Sequence, residues 1–139
     1  QAAFDAAAHV VALDLVNHRL APATMAPRVL IGEHDFTSFR TVACQSRSPR
    51  RCVIGIDIQR SGEEIHFHFE ANAFLHHMVR NLMGSLLMVG KGVQPPRWIG
   101  DVLQARDRTL AGPTAPPQGL CFLGPRYPAE FGLPPEHSA

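Results

Sequence analysis

A chain of 139 residues is long enough for one domain with a proper core, and 45% hydrophobic against 18% charged residues excludes a disordered or fibrous chain. The formal net charge of +1 gives no argument from bulk charge for a nucleic-acid or membrane partner. Cys44, Cys52 and Cys121 are odd in number and form no C-x-x-C, so neither a disulfide framework nor a zinc knuckle is suggested and reduced thiols are the simplest reading. No basic segment followed by an apolar core opens the sequence, and no apolar run is long enough to span a bilayer. A cytoplasmic protein without a membrane partner is the expectation.

In chain order, residues 1–31 carry an alanine-rich, weakly helical pattern, "QAAFDAAAHVVALDLVNHRL", interrupted afterwards by Pro22 and Pro27. "GEHDFTSFR" follows, with Phe36 and Phe39 spaced as core anchors, then the polar, basic connection "CQSRSPRR". "RCVIGIDIQR" alternates, placing Cys52, Ile54, Ile56 and Ile58 on one face; "EEIHFHFEA" alternates again, with Ile65, Phe67 and Phe69 together. Ser61-Gly62 between them predicts a β-hairpin. An apolar helix is expected over Phe74–Val89, stopped by Gly90 and Gly92. Pro95-Pro96 opens a second helix over Arg97–Ala105, with Trp98, Val102 and Leu103 inward. The loop "RDRTLAGPTAPPQG" leads to a last strand, "LCFLGPRY", and the tail beyond Pro128 is proline-rich. Strand pairs and helices in this order predict an α+β fold, an antiparallel β-sheet with helices packed on one face.

The apolar helix poses the main question. Ten of the sixteen residues from Phe74 to Val89 are Leu, Met, Val or Phe, and Arg80 is the single full charge. At 3.6 residues per turn Ala73, His77, Arg80 and Gly84 share a stripe, beside an apolar stripe of Phe74, Met78, Leu82, Leu86 and Val89. No acid lies at i±3 or i±4 from Arg80, so its partner is not local. Gly84 admits close approach of a backbone or a ligand. Two readings stay open from the residues: a structural arginine reaching solvent or an acid such as Asp57 or Glu70, or a functional one awaiting a carboxylate or phosphate.

"GEHDFTSFR", "FLHHMVRNLMGSLLMVGKG" and "AGPTAPPQGLCFL…YP" together resemble, in order, three C-terminal motifs of the TruA family of tRNA pseudouridine synthases. The likeness runs from about Gly32 to Pro128, which divides the chain into a poorly matched, partly helical lead-in (1–31), a pseudouridine-synthase-like C-terminal domain (32–128) and a tail (129–139). The resemblance implies isomerisation of uridine to pseudouridine in the tRNA anticodon stem-loop, no cofactor or metal, and a homodimer. It also implies a catalytic aspartate in an R-T-D-x-G motif of the family's N-terminal half. The aspartates here, at 5, 14, 35, 57, 101 and 107, stand in no such motif. The chain therefore resembles the C-terminal half alone, and the missing N-terminal half is an implied partner. Arg80 matches the family's arginine that pairs with the catalytic aspartate, and Leu120 matches an apolar position lining the uridine pocket.

Arg40, Arg47, Arg50 and Arg51 cluster on or beside one connection, which suits RNA phosphates as well as a solvated basic turn; the resemblance favours RNA. His66, His68 and the His76-His77 pair lack the tight Cys or carboxylate spacing of a zinc site, and no metal is expected. A non-catalytic RNA-binding module reusing the fold is the alternative to an enzyme half.

Overall fold

The computed structural model describes residues 8–16 and 26–132. Five strands, β1 (Ala8–Val16), β2 (Gly32–Asp35), β3 (Arg50–Ser61), β4 (Glu64–Ala71) and β5 (Leu120–Arg126), form one sheet in the order β2-β3-β4-β1-β5. Every neighbouring pair is antiparallel. Helices α1 (Met78–Gly90) and α2 (Trp98–Ala105) lie between β4 and β5 in sequence. Both give side chains to the same core as the inner face of the sheet. The fold is α+β, as the order of elements predicts.

The β3–β4 hairpin follows from its alternation. Ser61 pairs with Glu64 across a two-residue turn whose Gly62 takes a left-handed φ of 62°. On β4, Ile65, Phe67 and Phe69 face the core while His66, His68 and Glu70 take the opposite face. On β3 the expected face holds only for Ile56 and Ile58. Val53 pairs with Ala71 but Gly55, not Ile54, pairs with Glu70, so a β-bulge falls at Ile54. An inserted residue reverses the alternation upstream of it. Val53 is consequently 1% exposed and Ile54 51% exposed, the reverse of a strict period of two.

The lead-in differs more. The weakly helical pattern over residues 1–31 gives way at Ala8–Val16 to a strand inserted between β4 and β5. Alanine's helix propensity is a weak local preference, and ladders on both sides of "AHVVALDLV" override it. The remaining residues up to 25, with Pro22, lie outside the described segments, and Ala26–Leu30 is a short 3-10 turn.

Helix α1 begins at Met78, four residues later than the apolar run. Its buried face carries Met78, Leu82, Leu86 and Val89, with Val79 and Met83 beside them. Phe36 and Phe39 are fully buried in the same core. In α2 the buried set is Ile99, Val102 and Leu103, and Trp98 is only half-buried against the core. The loop after α2 is held by an Asp-x-Thr turn, Asp107 accepting from both the N–H and the hydroxyl of Thr109 at 2.9 and 2.6 Å. Asp35 makes the same turn with Thr37.

Candidate functional site

The first turn of α1 and the loop over residues 111–116 build the surroundings of Arg80. Gly84 and Gly112 let the two backbones touch: a Cβ on Gly84 would overlap the Pro113 carbonyl, and one on Gly112 would stand 2.8 Å from the Gly84 oxygen. Neither glycine has a positive φ, so both are needed for space rather than for conformation. Gly84, whose lack of a side chain admits close approach, thus receives a backbone. That approach lets Ala115 donate its N–H to the Arg80 carbonyl at 3.0 Å and accept the Arg80 Nε–H at 2.7 Å.

Arg80 is half-buried. Its Nη1 also reaches His77 Nε2 at 3.2 Å. A guanidinium has five N–H donors. Two are engaged, which leaves both on Nη2 and one on Nη1 without a partner among the described residues. Neither acid named as a structural partner serves: Glu70 pairs with Arg126 at 3.4 Å, and Asp57 accepts from Gln59 at 2.7 Å. No described carboxylate forms an ion pair with Arg80.

A polar network holds the loop from behind, and sequence reasoning missed it. Asn81 is fully buried, donates to the Phe39 carbonyl at 2.8 Å, and accepts from Thr114 at 2.7 Å and Arg108 at 3.0 Å. Arg108 also donates to the Gly112 carbonyl and the Thr114 hydroxyl, and Ser85 accepts the Gly112 N–H at 2.9 Å. The signal was an asparagine and a serine inside an apolar run, since buried polar groups require partners. Ser38, also fully buried, ties the end of α2 to the next loop by bonding the Val102 carbonyl and the Asp107 N–H.

The four arginines of the basic connection do not form one free patch. Arg50 donates through Nε and Nη2 to one oxygen of Glu33, at 2.9 and 2.7 Å. Arg51 folds onto its own loop, donating to the Ser48 and Arg50 carbonyls and to the Ser46 hydroxyl. Arg40 donates to the Ser46 carbonyl at 3.3 Å. Arg47 is exposed and makes no bond among the described residues. Burial, most of all, lowers the Arg51 pKa, and its charge stays fixed at any accessible pH. The Cys44 thiol beside them is drawn below the usual thiol range by the backbone N–H groups of His76 and Ser46, helped by the charges of Arg40 and Arg51.

Leu120 opens β5, half-buried and packed against the edge of the core, five residues beyond Ala115. Among the described residues no three His, Cys, Asp or Glu side chains gather as a metal site, and no helix is long and apolar enough to cross a membrane.

The sequence pattern of a tRNA pseudouridine synthase family matches residues 26–128. A tRNA pseudouridine synthase A of Xanthomonas oryzae pv. oryzae (strain PXO99A) is 57% identical over 112 residues, 81% of this chain and 44% of the relative. The same-named protein of Xanthomonas euvesicatoria pv. vesicatoria is 58% identical over 111 residues, 80% of this chain and 43% of its own length. That of Stenotrophomonas maltophilia (strain K279a) is 55% identical over 111 residues, again 80% and 43%. The chain therefore spans less than half the length of these relatives.

Proposed function

Because the chain belongs to the tRNA pseudouridine synthase family, we propose that it is the C-terminal half of a TruA-type enzyme and supplies Arg80 to a shared active site. The domain would run from about residue 32 to 128. The catalytic aspartate would lie in the part of the relatives that this chain does not span. The substrate would be a uridine of the tRNA anticodon stem-loop, and the intact enzyme a homodimer.

The observation that carries this reading is the guanidinium of Arg80, held at one side by Ala115 and His77 while three donors remain for a ligand. Two such donors can bind a carboxylate in a bidentate, charge-assisted pair, which keeps the acid ionised and oriented. The target base must leave its stack to be reached, and an apolar wall including Leu120 would receive it. The aspartate then initiates cleavage of the bond from ribose to the base nitrogen. The base rotates and rejoins through carbon; that carbon gives up its proton and the nitrogen freed from ribose takes one up, so the product is an isomer of the substrate. Exposed Arg47 and Arg50 would contact RNA phosphates, Arg50 by exchanging its pair with Glu33, while Arg40 and Arg51 bond the loop that carries them.

In the full-length enzyme, Arg80→Ala and Arg80→Lys are expected to abolish turnover on tRNA while leaving tRNA affinity within a few-fold. Turnover at the parent rate by either variant would remove Arg80 from the active site. Tight, salt-sensitive tRNA binding with no turnover by the unaltered full-length protein would instead favour a non-catalytic RNA-binding module.

A further inference from the structure

His77 precedes α1 with φ 58° and ψ 13°, a left-handed conformation. For a residue with a Cβ this conformation is unfavourable, because the Cβ crowds the following carbonyl oxygen. The usual compensation at a helix start, a side chain capping the free N–H groups, is missing. What the conformation does achieve is a placement of the ring. The imidazole lies 4.0 Å from that of His76, nearly parallel at 22°, and its Nε2 is 3.2 Å from Arg80 Nη1. His76 is itself anchored, with Nδ1 at 2.6 Å from the Thr41 hydroxyl.

The chemistry of the Arg80 contact fixes the protonation of the ring. A guanidinium only donates, so Nε2 of His77 must be the acceptor, and the imidazole is neutral with its proton on Nδ1. A protonated ring would turn the bond into a repulsion between two cations. With the Arg80 Nε–H held by Ala115, the His77 bond supplies the second fixed point of the guanidinium plane.

Resting on the assignment of Arg80 above, we propose that His77 is a positioning residue: as a neutral acceptor it fixes the plane in which Arg80 presents its remaining donors, and proton uptake by the ring releases that plane. The groups that face the ring are His76 from the same turn and Arg80 from α1. Behind His76 stand the Thr41 hydroxyl, which does not titrate in the accessible range, and the Cys44 thiol, which lies against the His76 backbone N–H. Burial, and then the charges of His76 and Arg80, hold the pKa of His77 below the usual histidine value. The neutral form accordingly persists through neutral pH.

The test is a pair of titrations on this 139-residue chain by NMR, following the His77 ring protons and the Arg80 Nε–H. The expected result is one midpoint for both signals, below the ordinary histidine value, and an Arg80 signal in His77→Gln that no longer moves over that range. A His77 midpoint at or above the ordinary value, or an Arg80 signal indifferent to it, overturns the proposal whatever the protein's activity. In the full-length enzyme, His77→Gly keeps the left-handed backbone but removes the acceptor, and should lower kcat about 10- to 100-fold with KM for tRNA little changed. His77→Gln, which offers a non-titrating acceptor, should recover part of kcat and lose the acid limb of the pH profile. An unchanged profile in His77→Gln, with Arg80→Lys inactive, defeats the role of His77 and leaves that of Arg80 standing. A fully active Arg80→Lys defeats the active-site assignment, while the coupled titration still reports on the His77 contact.

Discussion

Replacing Gly84 by alanine tests how closely the loop over residues 111–116 must lie on α1. The new methyl would overlap the Pro113 carbonyl oxygen and stand 2.8 Å from its carbon and 3.4 Å from the Ala115 nitrogen. Because the obstruction is backbone rather than the end of a flexible side chain, the loop itself must retreat, by roughly 1–2 Å to restore ordinary carbon contacts. Alanine gains about 1 kcal/mol over glycine in a helix interior. Against this, overpacking costs about 1–3 kcal/mol. Losing two of the loop's hydrogen bonds, such as Gly112 N–H to Ser85 and Arg80 Nε–H to Ala115, removes about 1 kcal/mol each. The net is a destabilisation of about 2–4 kcal/mol, which at a urea slope of about 2 kcal/mol per molar lowers the midpoint by roughly 1–2 M. Equilibrium urea unfolding followed by circular dichroism reads this directly. A Gly84→Ala chain as stable as the parent, or more stable through helix propensity, would refute the close approach and with it the account of how Ala115 holds Arg80.

Three further outcomes are expected. Asn81→Ala strands the Phe39 carbonyl, the Thr114 hydroxyl and Arg108, so a loss of about 2–4 kcal/mol in the same urea assay is predicted. On the hairpin, Val53→Ala should cost about 1–3 kcal/mol while Ile54→Thr stays within about 0.5, since the bulge buries the first and exposes the second. Thermal unfolding of the two variants side by side measures the difference, and equal losses would contradict the bulge. For Asp35, burial raises the carboxyl pKa, but the bonds from Thr37 and the charges of Arg106 and Arg40 outweigh it and leave the value lowered. Its stabilising effect is then present above the unfolded value of 3.8 and is lost as pH falls through the lower folded value. Asp35→Ala should therefore be less stable than the parent at pH 6, with the gap closing below pH 4; a constant gap down to pH 2 would contradict that linkage.

The parts of the fold legible in the sequence are those where one local rule decides. The β3–β4 hairpin was visible in its alternation and turn, and the α1 core stripe in its spacing. β1 was not, because an alanine-rich segment takes its strand form from ladders to β4 and β5, which are distant in sequence. The bulge at Ile54 was hidden for the opposite reason: the apolar residues on both sides of it make either phase look buried. In the candidate site, Arg80 was noticeable for its missing local acid, and Gly84 for the space it leaves. The roles of Asn81, Arg108 and Ala115 depend on contacts 27 to 35 residues apart in sequence, which periodicity does not encode. The basic connection read as four equivalent arginines, yet Ser46, Ser48 and Glu33 divide them into two that shape the loop, one in an exposed pair and one free of described partners.

Release of tritium from tRNA labelled at uridine carbon 5 reports whether Arg80 serves a site completed by a second half. The chain is assayed alone, then mixed with a separately produced N-terminal half of one of the Xanthomonas relatives. No release is expected from the chain alone, with release on mixing and loss of that release when this 139-residue chain carries Arg80→Lys. Release by the chain alone, or an Arg80→Lys mixture as active as the parent mixture, would contradict the assignment of Arg80 to a site completed by the other half.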